Sequence, residues 1–157
     1  MLIKDVMIRD TKTVTRSTNL RELLDIFKEY HNFPLLPVVD RHSVFLGAIK
    51  LEDVIEPFCS IPSRMMRSAK YALGGSFKIT ELQHIDIPPD SATLFLVDDL
   101  YSKNIITIQE DETIAAAEQT MDLNRINIIP VLKGTAFAGM LTKFDIVIGI
   151  LREKGII

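Results

Sequence analysis

The sequence lacks the features that cross-link secreted proteins or anchor membrane proteins. It contains one cysteine in 157 residues, so an intrachain disulfide framework is excluded and a reducing compartment is expected. No apolar run approaches the roughly 20 residues of a membrane-spanning helix, and residues 1–5 lack the apolar core of a signal peptide. We therefore expect a cytoplasmic protein without a membrane segment.

Positive charge is not in excess either. The chain has 18 lysine and arginine residues against 21 aspartate and glutamate residues, which gives a formal net charge of −3. Nucleic acids and anionic membrane surfaces attract basic proteins instead. The 47% of hydrophobic and 25% of charged residues are ordinary for a globular domain. We expect a folded protein that binds neither nucleic acid nor membrane.

Residue sets that carry catalysis or bind metal ions are missing as well. His31, His42 and His84 stand far apart, without the spacing of zinc ligands. Cys59 has no recognisable nucleophile context and is interpreted as an inert thiol. The chain has no phosphate-binding glycine loop and no serine nucleophile elbow. The sequence therefore predicts neither an enzyme nor a metal protein, and no required cofactor.

What the sequence does contain is an internal repeat. Matching landmarks recur in the same order, 92 to 94 positions apart, in two halves of the chain. Such agreement in order and spacing indicates two copies of one structural unit. The landmarks are Asp5 with Asp99, Val14 with Ile108, Leu20 with Ile114, Pro37 with Pro130, and Gly47 with Gly139.

Each copy follows the pattern of a β-α-β-β-α unit. An apolar stripe at helical spacing begins at Leu20, behind a capping box of Asn19 and Glu22, and Thr113 is the matching N-cap in the second copy. One small unit cannot cover both faces of its sheet, so we expect an α/β (mixed α+β) module with pseudo-two-fold symmetry. The predicted β segments are 13–15, 35–39, 44–49, 105–108, 127–132 and 136–141, and the closing helices are 51–57 and 143–153.

These motifs resemble the CBS domain family. Members open with a motif of the type seen at 3–7 and 97–101, and carry a Pro-Val strand like those at 36–39 and 129–132. They also carry a glycine, a hydroxyl residue and an aspartate before the last helix, here Gly139, Thr142 and Asp145. The first copy keeps Gly47 and Asp53 but has Lys50 in place of the hydroxyl residue.

The resemblance implies a stand-alone CBS domain pair, or Bateman module. The predicted organisation is a first repeat at 1–57, an inserted linker at 58–96 and a second repeat at 97–157. Such pairs hold AMP, ADP, ATP or S-adenosylmethionine between their repeats, form homodimers, and regulate an effector protein without catalysis. The alternative is a ligand-free structural or dimerisation module that mediates protein–protein interaction.

By this resemblance the second motif is a ligand site. Asp145 would hold the ribose hydroxyls, Thr142 would lie beside ribose or phosphate, and Arg125 would face phosphates. The alternative is that Thr142 is an ordinary helix N-cap, Asp145 a favourable first-turn acid and Arg125 a solvated turn residue. The apolar residues expected to contact adenine are Ile105, Ile106, Ile128, Ile129 and Pro130.

The first motif is ambiguous because Lys50 has no hydroxyl. Lys50 would contact a phosphate, or it would fill the cleft or pair with Asp53. The second interpretation, an empty or altered site, is favoured.

The segment 58–96 matches neither repeat. A helix at 63–73 is predicted, as a packed linker or as an inserted arm with a basic stripe. A turn at 88–90 and a β segment at 92–97 are predicted to lead into the second repeat.

Overall fold

The structure is a computed structural model that describes residues 1–29, 35–50, 53–54 and 89–157. Its regular elements follow the predicted order in both repeats, with two differences. The β segment predicted at 13–15 is reduced to one bridge at Val14, and the one predicted at 105–108 is the strand Ile108–Gln109. Asp53 and Val54 are helical, as predicted for the helix that closes the first repeat. In chain order the elements are a short 3₁₀ helix Ile3–Asp5, α1 Leu20–Glu29, β1 Leu35–Val39, β2 Phe45–Lys50, α2 Ser91–Leu94, α3 Val97–Leu100, β3 Ile108–Gln109, α4 Ile114–Asn124, β4 Ile128–Lys133, β5 Ala136–Thr142 and α5 Lys143–Glu153.

The two repeats build their sheets in the same way. Strands β1 and β2 pair antiparallel, and a parallel bridge joins Val14 to Val38 beside them. In the second repeat β4 pairs antiparallel with β5 and parallel with β3. The register of both hairpins shifts at the corresponding place, after Val38 in the first and after Val131 in the second. A shared irregularity at equivalent positions confirms the pseudo-two-fold repeat.

Local caps fix where the helices begin. The Asn19 Oδ1 atom accepts from the Glu22 backbone N–H at 3.0 Å, and Glu22 accepts in return from the Asn19 N–H at 3.3 Å. The Thr113 hydroxyl accepts from the Ala116 N–H at 3.2 Å. Each cap satisfies backbone donors that a helix leaves free at its N-terminus. The predicted starts of α1 and α4 are therefore confirmed.

Each opening motif packs on the opposite repeat. We call residues 3–8 the first opener and residues 97–102 the second opener. Ile3 and Met7 belong to the core that β4, β5, α4 and α5 form, whereas Val97 and Leu100 belong to the core of β1, β2 and α1. Both openers bury apolar side chains, with Ile3 and Val97 fully buried. The chain thus crosses between the two halves. Each packed half contains an opener that the sequence division at 57 and 97 assigns to the other repeat.

The hairpin ends of the two repeats meet at a seam. The Phe45 N–H donates to the Thr135 carbonyl and the Phe137 N–H to the Ser43 carbonyl, both at 2.9 Å, and the Phe45 and Phe137 rings stack with centroids 6.3 Å apart. Below them lies a mixed core in which each repeat covers apolar surface of the other. This seam cluster contains Leu35, Ala48, Met140, Ile105, Ile128 and Phe137.

The β segment predicted at 92–97 is wrong. Residues Ser91–Leu94 and Val97–Leu100 are short helices instead. The Thr93 N–H and hydroxyl both bond the Asp90 carbonyl, at 3.1 and 2.9 Å, so the turn after Pro89 continues into a helix. Extended pairing is limited to one antiparallel bridge between Leu96 and Asn19.

Several predictions lie outside the described residues. They are the helix at 63–73, the interpretations of Cys59, His31 and His84, and most of the helix at 51–57. Among the helices that the structure does describe, none is long and apolar enough to cross a membrane.

Candidate ligand-binding site at the seam

The second motif forms a reciprocal cap at the start of α5. The Asp145 Oδ2 atom accepts from the Thr142 hydroxyl at 2.6 Å and from the Thr142 backbone N–H at 2.8 Å. The Asp145 N–H donates back to the Thr142 hydroxyl at 3.2 Å. Both bonds to the carboxylate fall on Oδ2, and no described residue donates to Oδ1. The cap therefore fixes the side chain while leaving one oxygen as an acceptor.

Strand pairing brings predicted apolar contacts to this cap. Ile128 is the direct antiparallel partner of Thr142, and the Lys143 N–H bonds the Asn127 carbonyl at 3.2 Å. Ile128 and Ile105 are half-buried and pack against Leu35 and Ala48 of the first repeat in the seam cluster. The structure thus brings together Thr142, Ile128 and Ile105, on the surface that faces the other repeat. We call this region the second cleft.

The other predicted apolar residues differ in exposure. Ile129 is fully buried in the core of the second repeat, so no part of it is exposed to a ligand in this structure. Pro130 is also buried and pairs with Met140 across the hairpin. Ile106 is 38% exposed and is accessible to a ligand at the surface.

Arg125 occupies a special backbone position. It is the C-cap of α4 in the left-handed conformation, with φ 54° and ψ 41°. Glycine or asparagine is usual there, because a larger side chain is strained in this region. Its side chain is exposed, three positions before Ile128. Its side chain is therefore an exposed basic group at the turn that leads into β4.

The first motif is built differently. The Lys50 backbone N–H donates to Asp53 Oδ2 at 2.8 Å, as the Thr142 N–H does to Asp145. The hydroxyl, however, comes from Ser102 of the second opener, which donates to Asp53 Oδ1 at 3.2 Å. Ser102 was not singled out in the sequence, since one serine carries no local signal of a partner across the fold. We call the region beside Lys50 and Asp53 the first cleft.

A cavity of about 710 Å³ lies between the first opener and α5. Its wall includes Asp145, but none of the other predicted site residues. The second cleft and this cavity therefore share Asp145 alone. The other polar residues that line the cavity are Asp5, Arg152 and Glu153. This mixture of charges indicates no single class of ligand.

Metal ligation has no support in the described part of the chain. No group of three or more histidine, cysteine, aspartate or glutamate side chains there can hold an ion. The candidate site consists of carboxylate, hydroxyl and apolar groups at a helix N-terminus. Such a set can accept hydrogen bonds from a diol, place an anion near the helix terminus, and cover an apolar ring.

Solved structures with the same fold include several CBS pairs. CBSX2 in complex with AMP is 17% identical, with 98% of each chain covered and a TM-score of 0.66; CBSX2 comes from Arabidopsis thaliana. The CBS domain pair of MJ0100, in complex with 5′-methylthioadenosine and S-adenosyl-L-methionine, is 21% identical over 94% of this chain and 97% of that chain, with a TM-score of 0.59. A CBS domain-containing protein of unknown function from Bacillus anthracis is 16% identical over 98% of this chain and 94% of that chain, with a TM-score of 0.68.

Family membership rests on the sequence itself. No curated protein matches the chain. A family model for the CBS domain, however, matches residues 3–58 and again residues 97–152. These two matches cover most of the chain and coincide with the two repeats of the fold. The chain therefore belongs to the CBS domain family, as a non-catalytic pair of CBS domains.

Proposed function

We propose that this CBS pair is a regulatory module that binds an adenosine-containing ligand in the second cleft. The observation that carries the proposal is the Thr142–Asp145 cap, which holds one carboxylate oxygen at 2.6 and 2.8 Å and leaves the other as an acceptor. Thr142 is the strand partner of Ile128. A ribose offers two neighbouring hydroxyl donors, which suit such an acceptor. Ile105 and Ile128 supply apolar surface for the adenine ring.

The ligand class is supported by proteins of the same fold. CBSX2 is solved in complex with AMP, and MJ0100 with 5′-methylthioadenosine and S-adenosyl-L-methionine. These ligands share adenosine and differ in their 5′ substituent. Recognition of the shared part fits a site made of one carboxylate and apolar walls. AMP, ADP, ATP and S-adenosylmethionine are therefore the ligands to test.

Regulation would act through the seam. A ligand held between β4, β5 and the first repeat binds best to one relative arrangement of the repeats, and so increases the population of that arrangement. A ligand with equal affinity for both arrangements would transmit nothing. We propose that an effector protein reads this arrangement.

The exposed face of α5 supports a homodimer. Phe144 and Val147 are 69% and 51% exposed on neighbouring turns of the helix, and adjacent exposed apolar side chains of this kind mark interaction surfaces. A second copy of the chain would cover them. Sedimentation velocity of the wild type and of Phe144→Asp tests this: the wild type should sediment as a dimer and the variant as a monomer with an unchanged circular dichroism spectrum. Equal sedimentation would exclude this face.

Calorimetric titration tests ligand binding directly. AMP, ADP, ATP and S-adenosylmethionine are titrated separately into the wild type, Asp145→Ala and the matched control Asp111→Ala, which removes an exposed carboxylate in a turn. We expect at least one ligand to bind the wild type and the control equally. Asp145→Ala should weaken binding at the second cleft at least tenfold, since a carboxylate acceptor contributes ~1.5–3 kcal/mol.

Two results would refute the proposal. One is the absence of binding by all four ligands, which would favour the alternative, a ligand-free dimerisation module. The other is unchanged affinity in Asp145→Ala, which would place the ligand elsewhere.

A further inference from the structure

The turn of the second hairpin is held closed by side chains. The Gln109 Nε2 atom donates to the Gly134 carbonyl at 3.1 Å, and the Gln109 Oε1 atom accepts from the Gly134 N–H at 2.9 Å. Beside this pair, the Lys133 Nζ atom lies 3.5 Å from the Glu110 carboxylate. The end of β3 is therefore attached to the turn that joins β4 and β5.

The first repeat lacks this closure. Val14 and Ile108 make equivalent parallel pairings, so Thr15 corresponds to Gln109. The side chain of threonine is shorter than that of glutamine, and the Thr15 hydroxyl lies 3.0 Å from the Ser17 hydroxyl of its own loop. The loop at 15–17 is thus bonded within itself at the place where the second repeat bonds its turn.

The turn of the first hairpin is also longer. The Asp40 N–H donates to the Val44 carbonyl at 3.0 Å and closes a turn of three residues, 41–43, whereas the second turn has two, 134–135. An open pocket of about 610 Å³ lies between this turn and the loop at 15–17. We call it the turn pocket; its wall is formed by residues 15–17 and 39–42 and by Leu46.

Hydrogen-bond donors dominate the wall of the turn pocket. It carries Arg16, Arg41 and His42 against a single carboxylate, that of Asp40. The Asp40 Oδ1 atom already accepts from the backbone N–H groups of His42 and Val44, at 2.8 and 2.9 Å. The carboxylate is therefore engaged with the turn itself, and the guanidinium groups remain for a ligand.

Both guanidinium groups are held at the same atom. The Arg16 Nε atom lies 3.3 Å from Asp98, which is outside the pocket wall, and the Arg41 Nε atom donates to His42 Nε2 at 3.2 Å. Within the part of the chain that the structure describes, no residue accepts a hydrogen bond from the terminal Nη atoms of Arg16 or Arg41. An arginine fixed at Nε with free Nη groups is preorganised for an oxyanion.

We propose that the turn pocket binds the phosphate group of a soluble small molecule. Guanidinium groups bind phosphate oxygens through paired charge-assisted hydrogen bonds, and the hydroxyls of Thr15 and Ser17 are further donors. The pocket has the volume of an ordinary small-molecule site, so it has room for an organic group beside Val39 and Leu46. A phosphorylated lipid has the same chemistry, but a chain with a net charge of −3 is not attracted to an anionic membrane.

The turn pocket is separate from both clefts. Lys50 pairs with Leu35 at one end of the first hairpin, and Phe45 pairs with Val39 at the other, next to the turn. Four strand residues separate these ends by about 13 Å. The second cleft lies at the corresponding far end of the second hairpin, where Thr142 pairs with Ile128. The proposal is therefore independent of adenosine binding.

Heteronuclear NMR of the labelled full chain tests the proposal. Glycerol 3-phosphate, inorganic phosphate and, as a control without phosphate, glycerol are titrated while the backbone amides and the arginine Nε–H signals are recorded. We expect both phosphates to shift the signals of residues 15–17 and 41–42 with saturation, and glycerol to shift none. Arg41→Gln should weaken this binding about tenfold, because a charge-assisted hydrogen bond is lost, whereas the matched control Arg21→Gln on α1 should leave it unchanged.

A second variant tests the comparison of the two repeats. Thr15→Gln places the residue of the closed repeat in the open one and should abolish the phosphate-induced shifts while the signals of the two cores stay in place. If glycerol 3-phosphate shifts no signal of the pocket, or if Arg41→Gln binds it as the wild type does, the proposal is refuted. If phosphate shifts Thr142 and Asp145 instead, the turn pocket is refuted while the proposed function stands. Binding only to vesicles that contain phosphatidylinositol phosphate would refute the soluble ligand.

Discussion

Ile8 and Met140 exchange two backbone hydrogen bonds, at 2.8 and 2.9 Å, across 132 positions of sequence. The bond pair attaches the first opener to β5 of the second repeat. Its equivalent, between Ser102 and Ala48, attaches the second opener to β2 of the first repeat. Each sheet therefore carries an edge contact that the other half of the chain provides, and both contacts lie beside a candidate site.

Replacing Ile8 by proline should destabilise the second repeat. Proline has no N–H, so the Met140 carbonyl, in a residue that is 1% exposed, would lose its donor. An unsatisfied buried carbonyl costs ~1–3 kcal/mol, and denaturant unfolding should show a loss of that size. Hydrogen–deuterium exchange should accelerate in β5 more than in β2. Ile8→Ala, which keeps both backbone bonds, is the control, and faster exchange in β2 alone would contradict the crossed openers.

Replacing Gly149 by alanine should lower stability, against the usual trend. Alanine inside a helix is normally better than glycine by ~1 kcal/mol. Here a Cβ at position 149 would lie 2.2 Å from Val6 Cγ1, so α5 and the first opener would have to move apart. We expect a net loss of ~1–3 kcal/mol, as for other overpacked contacts.

A compensating variant checks this explanation. Val6→Ala/Gly149→Ala removes the methyl groups that clash, so its loss in the free energy of unfolding should be smaller than the sum of the two single losses. Guanidinium unfolding of all four proteins measures the coupling. An increase in stability for Gly149→Ala alone would show that α5 and the opener do not pack this closely.

Replacing Arg125 by glycine should stabilise the fold and test the site at once. A non-glycine residue in the left-handed region is strained by ~1–2 kcal/mol, and glycine removes that strain at the cost of some chain entropy. We expect the free energy of unfolding to rise by ~0.5–1 kcal/mol. The substitution Arg125→Asn is a control, because asparagine also tolerates this backbone. Weaker ATP binding in both variants would support a contact between Arg125 and a phosphate, whereas unchanged binding would support a solvated turn arginine. Unchanged or lower stability in both variants would contradict the strain argument.

Asp40 should make stability depend on pH at the acidic end. Its carboxylate accepts from the Val44 and His42 backbone N–H groups at 2.9 and 2.8 Å, and the Val44 bond above all holds the pKa below the ordinary 3.8. A lowered folded-state pKa contributes stability above pH 3.8 that is lost as the pH falls through the folded value. Asp40→Asn should remove this part of the acid dependence in thermal unfolding as the pH is lowered below 3.8, and an identical pH profile would contradict it.

The sequence predicted the parts of the fold that local rules decide. The bounds of α5 agree at both ends, and the four predicted strands of the two hairpins agree within one residue. Caps and apolar alternation act over a few positions, so they can be read without knowing the fold. The Thr142–Asp145 pair was predictable for the same reason, since its bonds span only three positions.

Long-range pairing was not predictable in this way. Both openers have the same apolar pattern, so the sequence does not show which sheet each of them covers. That choice depends on which sheet edge is available once the chain has collapsed. Ser102 acquires its role only because β2 lies beside it. The prediction of a β segment at 92–97 was wrong because a local hydrogen bond, from the Thr93 hydroxyl to the Asp90 carbonyl, favours a helical turn there. The apolar pattern of the residues that follow does not reveal this bond.

The crossed openers mean that the unit duplicated in the sequence and the unit packed in space are not the same. A fragment cut at the linker would keep Ile3 and Met7 while losing the sheet that they cover, and its own sheet would be left without Val97 and Leu100. Neither half is therefore transferable to another protein as a complete building block. Evolution can shuffle or fuse this architecture only as a pair, unless a donated opener from elsewhere takes the missing place.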